Sequence, residues 1–134
     1  MCGRFYLDPE QEKEIKAIIE EISNKYKDTP ELAAMKTGEI YPTDIVPVIT
    51  AEAPMLMKWS FTGFGGKGQI INARSETAAE KPMFRESFIS KRCLIPASHY
   101  FEWKKRGTHK QKYAIGLGET LFLAGLYRVE PKEM

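Results

Sequence analysis

The chain has 134 residues, 43% hydrophobic and 28% charged, ordinary proportions for a soluble globular protein folding as one domain over 1–134. That length buries a core without disulfides or a structural metal, and a net charge of +2 selects no partner by itself. Its two cysteines lie far apart and outside any C-x-x-C pair, which argues against a zinc or redox motif and fits a reduced, cytoplasmic setting. No apolar run approaches the ~20 residues of a membrane span, and Met-Cys-Gly-Arg-Phe lacks a signal-peptide core. No metal, cofactor or membrane partner is expected.

Asp8-Pro9 opens a helix, because Asp caps an N-terminus and Pro suits the first turn. Ile15, Ile18, Ile19, Ile22 and Tyr26 recur at helical spacing and predict a helix from about Pro9 to Lys27. A short helix is expected near Pro30–Met35, with Gly38 as a stop. Ile45–Thr50 is β-branched and broken by Pro47, which predicts an edge strand or a bulge. Met55–Phe61 alternates loosely, Thr62–Gly68 with four glycines reads as a flexible loop, and Gln69–Asn72 is a short strand. Ala78–Ser90 is expected to hold helical turns. Arg92–Ile95, His99–Lys104, Gln111–Leu117 and Leu121–Arg128 read as strands punctuated by Pro96, Gly107 and Gly118. The last of these is apolar enough to be central, yet the sequence ends six residues later, so a longer molecule is expected. The class is α+β with a largely antiparallel sheet.

Charge is unevenly spread. Residues 10–31 hold seven acidic and four basic side chains, net −3, whereas residues 81–112 hold nine basic and two acidic ones, net +7. Such a half can face phosphates or simply be a solvated basic face.

Cys2 follows a removable Met1. A free N-terminal cysteine carries an amine of pKa about 8 and a thiol of about 8.5 on one residue. With an aldehyde, the amine forms a Schiff base and the thiol closes a thiazolidine ring. An internal cysteine, whose nitrogen is an amide, cannot do this. The plainer reading is an incidental thiol. Cys93, inside Arg-Cys-Leu-Ile, reads as core packing.

Asn72-Ala73-Arg74-Ser75-Glu76-Thr77 ends a strand, where scaffolds present functional side chains. Asn72 could bond a backbone or a ligand and Arg74 could grip a phosphate, or the segment could merely cap a turn. In His99–Lys105, Tyr100, Glu102 and Lys104 share one strand face and Phe101 and Trp103 the other. A Glu between large aromatics is partly desolvated and suited to proton transfer, or is a surface Glu paired with a lysine. Met83, Phe84, Arg85, Trp103 and Lys104 mix aromatic and basic groups that could stack bases and bind phosphates, or be core with a basic rim. His99 and His109 have no partner pattern.

Together these segments resemble one family. They are Met1-Cys2-Gly3-Arg4-Phe5, Tyr41-Pro42-Thr43, Met57-Lys58-Trp59, Ile71–Thr77, Lys81-Pro82-Met83-Phe84-Arg85, Arg92–Ala97, Phe101–Lys105 and Phe122–Tyr127, in the family's order. The chain is similar to the SOS response-associated peptidases, which shield abasic sites in single-stranded DNA by crosslinking to them. The resemblance implies a compact α+β domain around a curved, barrel-like sheet. It implies Met1 removal, Cys2 as the nucleophile, Asn72 positioning the Cys2 amine and the sugar, and Glu102 as the acid/base. Arg4 and Arg74 would bind phosphates, with Met83, Phe84, Arg85 and Trp103 along the DNA path. The partner implied is single-stranded DNA with abasic sites, in a nucleoid-associated DNA damage response.

Three departures accompany the resemblance. Family members continue past the last strand into a His-x-Arg-Met-Pro type motif that neither His99 nor His109 matches, so a fragment or half of a split protein is expected, with self-association through an exposed edge. Ser60–Gln69 is glycine-rich where many relatives carry a second tryptophan; Phe64 is the available substitute. Glu39 stands where many relatives have asparagine. Three other readings remain. One is a non-covalent single-strand binder, and a second is a structurally incomplete, inactive fragment. The third is an N-terminal-nucleophile amidohydrolase, whose Asn-His-Arg-Gly segment is missing here.

Overall fold

A computed structural model describes residues 2–130. Strand β1 (Phe5–Leu7) leads into helix α1 (Lys13–Lys25) and the short helix α2 (Pro30–Ala34). Strands β2 (Gly38–Ile40), β3 (Ile45–Ile49), β4 (Pro54–Lys58), β5 (Phe61–Thr62) and β6 (Gln69–Ile70) follow. Turns then lead to α3 (Arg85–Ser90) and to strands β7 (Arg92–Ala97), β8 (His99–Arg106), β9 (His109–Ile115) and β10 (Leu121–Leu126). The strands make two four-stranded sheets, ordered β2-β1-β8-β9 and β10-β7-β3-β4, and a β5-β6 hairpin. Every strand pair is antiparallel.

The α+β class stands, but the barrel-like sheet does not form: the two sheets stay open and separate. No ladder joins a strand of one sheet to a strand of the other among the described residues. Two prolines also thin the pairing within the second sheet. Only one pair, Ile49 with Leu94, joins β3 to β7. The same antiparallel register sets Pro47 opposite Pro96, both fully buried. Neither has an N–H to donate, so the ladder cannot continue past them. The chain leaves one sheet at Ala97 and enters the other at His99, turning at Ser98, whose N–H donates to Tyr6 O at 2.7 Å. Pro47 therefore marks neither an edge nor a bulge; β3 lies between β7 and β4. Strand β10 is an edge rather than a centre among the described residues, paired with β7 alone.

The helix α1 starts four residues later than Pro9 because Asp8 is used differently. Its carboxylate accepts from Glu10 N at 2.9 Å in a local turn, while its own N–H donates to Ser98 Oγ at 2.9 Å. Ser98 Oγ in turn donates to Glu12 Oε2 at 3.1 Å, drawing the helix start onto the sheet junction. The expected stripe faces inward: Ile15 and Ile22 are fully buried and Tyr26 Oη accepts from Leu56 N at 3.3 Å. Phe5, Leu7, Ile15, Ile40, Val46, Val48, Cys93 and Ala97 form the main core, drawn from both sheets and α1. Each such aliphatic side chain contributes about 1.5–3 kcal/mol on burial.

The glycine-rich stretch is a folded hairpin rather than an open loop. Gly63 N donates to Gly68 O at 3.1 Å, and β5 pairs with β6 on either side of a 3₁₀ turn. Arg128 and Glu130 brace it: Arg128 Nη2 donates to Thr62 O at 2.5 Å and Thr62 N donates to Glu130 Oε1 at 2.7 Å.

Candidate functional site

Cys2 sits just ahead of β1, half-buried against the core. The Asn72 side-chain amide donates to its carbonyl at 2.9 Å, and its thiol points to Arg4 O at 3.4 Å. Burial pushes the Cys2 thiol above its ordinary pKa, and the negative charge of Glu102 raises it further. The strand register explains that neighbour. Phe5 pairs with Tyr100, and Phe101 N donates to Arg4 O at 2.9 Å, so Glu102 falls opposite Gly3 on the Phe5 side of β8. The structure thus gathers Cys2, Asn72 and Glu102 from three separate segments.

Arg4 lies on the other side of the same strand. Its guanidinium sits between two rings, 4.1 Å from the Tyr41 centroid and 4.9 Å from that of Trp103. Glu39 Oε2 accepts from Arg4 Nη1 at 2.9 Å and Glu39 Oε1 accepts from Lys112 Nζ at 2.7 Å. These bonds, Lys112 foremost, hold the Glu39 carboxyl down at about 2. The Arg4 Nε is buried and has no hydrogen-bond partner among the described residues.

The remaining candidates lie elsewhere. Arg74, read as a phosphate grip, is exposed, and its carbonyl accepts from Thr77 N and Ala78 N at the start of a turn. Phe84 tilts against Phe61, centroids 5.9 Å apart, and Met83 Sδ takes Arg128 Nη1 at 3.0 Å. Arg85 is exposed at the start of α3. Asn72 also lines an apolar cavity of about 640 Å³ with Met57, Trp59, Phe61, Phe84 and Phe88. Cys93 is buried in the core, and burial lifts its thiol to about 11. His99 stacks on Tyr6, planes 9° apart, and His109 is exposed. Met1 lies outside the described residues. Among the described residues no helix is long and apolar enough to cross a membrane, and no cluster of His, Cys, Asp and Glu could hold a metal.

Tyr41 and Lys112 escaped the sequence reading as parts of one cluster. The signal existed for Lys112: the two-residue turn Gly107-Thr108 pairs Arg106 with His109, and counting back sets Trp103 opposite Lys112. Nothing local in sequence brings Tyr41 to Arg4; the β1–β2 pairing of Phe5 with Ile40 does.

Comparison with known proteins now bears on this geometry. The family model "SOS response associated peptidase (SRAP)" matches residues 1–133. The chain is 30% identical over 133 residues to abasic site processing protein YedK of Escherichia coli, covering 94% of this chain and 59% of that protein. It is 57% identical over 37 residues to abasic site processing protein YoqW of Bacillus subtilis, which is 28% of this chain and 16% of that one. The fold superposes on a protein from Bacteroides thetaiotaomicron with TM-score 0.71 at 23% identity, covering 93% of this chain and 59% of the other. A phage-related protein of Bordetella bronchiseptica gives TM-score 0.67 at 25% identity, covering 98% and 63%. The matched region is therefore less than two thirds of each of these proteins. With a family model spanning nearly its whole length, the chain belongs to the SOS response associated peptidase family.

Proposed function

We propose that this chain binds single-stranded DNA and captures the aldehyde of an abasic site covalently through Cys2. The observation that carries the reading is the convergence of Asn72 and Glu102 on Cys2, the amide on its carbonyl and the carboxylate within electrostatic reach of its thiol. The names of the relatives, abasic site processing proteins, agree with it.

Hydrolysis of the Met1–Cys2 bond, the self-processing reaction that the word peptidase denotes, frees the Cys2 amine. Its lone pair adds to the aldehyde carbon of the ring-opened deoxyribose. The resulting hydroxyl leaves as water once protonated, giving an imine. The Cys2 sulfur then adds to the imine carbon, its proton passes to the nitrogen, and a thiazolidine closes. One water is lost overall. In this reading Glu102 moves protons in both steps, and Asn72 holds the Cys2 backbone so that amine and thiol meet one carbon. Arg4, Arg74 and Arg85 serve the phosphates, and Trp103, Met83 and Phe84 the nucleobases or the shape of the path.

The test is a denaturing gel of protein incubated with a single-stranded oligonucleotide carrying one abasic site, without borohydride. A slow-migrating band from the native chain and none from Cys2→Ser supports the reading; equal bands from both exclude Cys2. A non-covalent binder is the second reading, favoured by the cluster of half-buried Arg4 with exposed Tyr41, Trp103 and Lys112, and it leaves the Cys2 substitution without effect on DNA affinity.

A further inference from the structure

We propose that the Glu39 carboxylate is a built-in stand-in for a DNA phosphate, filling an anion seat made by Arg4 and Lys112 that a strand must take over to bind. The inference rests on the reading of single-stranded DNA as the ligand and goes beyond it by assigning an internal competitor.

The seat has the parts of a phosphate site. Two cations converge on one anion, at 2.9 Å from Arg4 and 2.7 Å from Lys112. The Arg4 guanidinium carbon lies 4.1 Å from the Tyr41 ring centroid and 4.9 Å from that of Trp103, contacts that restrain its position. Both rings are partly exposed, at 43% and 37%, and offer faces on which bases stack. Lys112 lies 4.1 Å above the Phe101 ring on the same side.

The seat is also incompletely served by its present occupant. Glu39 gives Arg4 one oxygen and Lys112 the other, a single contact each. A phosphodiester in that position could accept from Nη1 and Nη2 together, the paired geometry of the guanidinium's end, while its charge also faces Lys112. Exchange of a single contact for a paired one gains a bond. Against it stands the carboxylate itself: an incoming phosphate meets a fixed negative charge and must push it aside. Glu39 therefore weakens binding to any single strand and selects for strands held by further contacts.

The experiment is fluorescence anisotropy with a labelled single-stranded oligonucleotide lacking abasic sites, so that covalent capture cannot contribute. The native chain, Glu39→Gln, Glu39→Asn and Arg4→Gln/Glu39→Gln are compared across a salt series, with melting curves for each. Both single variants are expected to bind about tenfold more tightly at low salt. Their log affinity is expected to fall more steeply with log salt by about 0.7, the value for one additional phosphate contact on a single strand. The double variant is expected to lose that gain. Binding by the native chain that neither Glu39→Gln nor Glu39→Asn strengthens would overturn the stand-in and leave the DNA reading intact. No binding by the native chain or by either folded variant would overturn both.

Discussion

The amide of Asn72 and the carbonyl of Cys2 meet at 2.9 Å across 70 residues of sequence. This bond sets where the N-terminal residue lies relative to the strand end that follows β6. Asn72→Ala removes the tether while leaving the carbonyl half-exposed to water, so about 1 kcal/mol or less of stability is expected to be lost. Adduct formation depends on amine and thiol reaching one carbon, and its single-turnover rate is expected to fall at least tenfold. A rate change no larger than the stability change would mean that Asn72 is only structural.

Glu102 raises the thiol pKa of Cys2, behind the larger effect of burial. Replacing a nearby negative charge with a neutral amide favours the thiolate, so Glu102→Gln is expected to shift the Cys2 alkylation profile to lower pH and speed iodoacetamide labelling at pH 8. The same substitution is expected to slow adduct formation, because a proton-transfer group is lost. Opposite movement of the two rates separates an acid/base role from a general loosening of the site, which would move both the same way. Cys93, raised by burial to about 11, serves as the unreactive internal control.

Ser98 accepts from Asp8 N and donates to Glu12, and it is 5% exposed. Ser98→Ala strands a backbone N–H and a carboxylate oxygen at the sheet junction. A loss of about 1–3 kcal/mol is expected in urea unfolding, with an unchanged denaturant slope. Retention of full stability would show that water replaces the hydroxyl at both partners.

A Cβ at Gly63 would run into the carbonyl of Lys67, a backbone atom that cannot swing away. Gly63→Ala is therefore expected to open the β5–β6 hairpin, seen as faster amide exchange at Phe61–Ile70 with the core strands still protected. Gly65→Ala meets no atom but carries a φ of +72°, so it tests strain without collision.

Much of this architecture was legible from local pattern. The isoleucine stripe gave α1, and Gly107 and Gly118 bounded the strands around the basic hairpin. What failed depended on distant partners. Asp8 looked like a helix cap because no local pattern shows Ser98 taking its N–H. Pro47 looked like an edge marker because its opposite number, Pro96, lies 49 residues away in sequence. The barrel implied by the resemblance failed because no ladder joins the β2-β1-β8-β9 sheet to the β10-β7-β3-β4 sheet among the described residues. Within the site, Cys2, Asn72 and Glu102 were singled out by residue type and motif, whereas the carboxylate on Arg4 became visible only once β1, β2, β8 and β9 were laid side by side.

The most direct measurement is the intact mass of the protein after incubation with a single-stranded oligonucleotide bearing one abasic site, with Cys2→Ala alongside. A species equal to the protein lacking Met1 plus the oligonucleotide less one water, formed without reductant and absent from the variant, is expected. An adduct that retains Met1, or one that survives in Cys2→Ala, would contradict capture by the N-terminal cysteine.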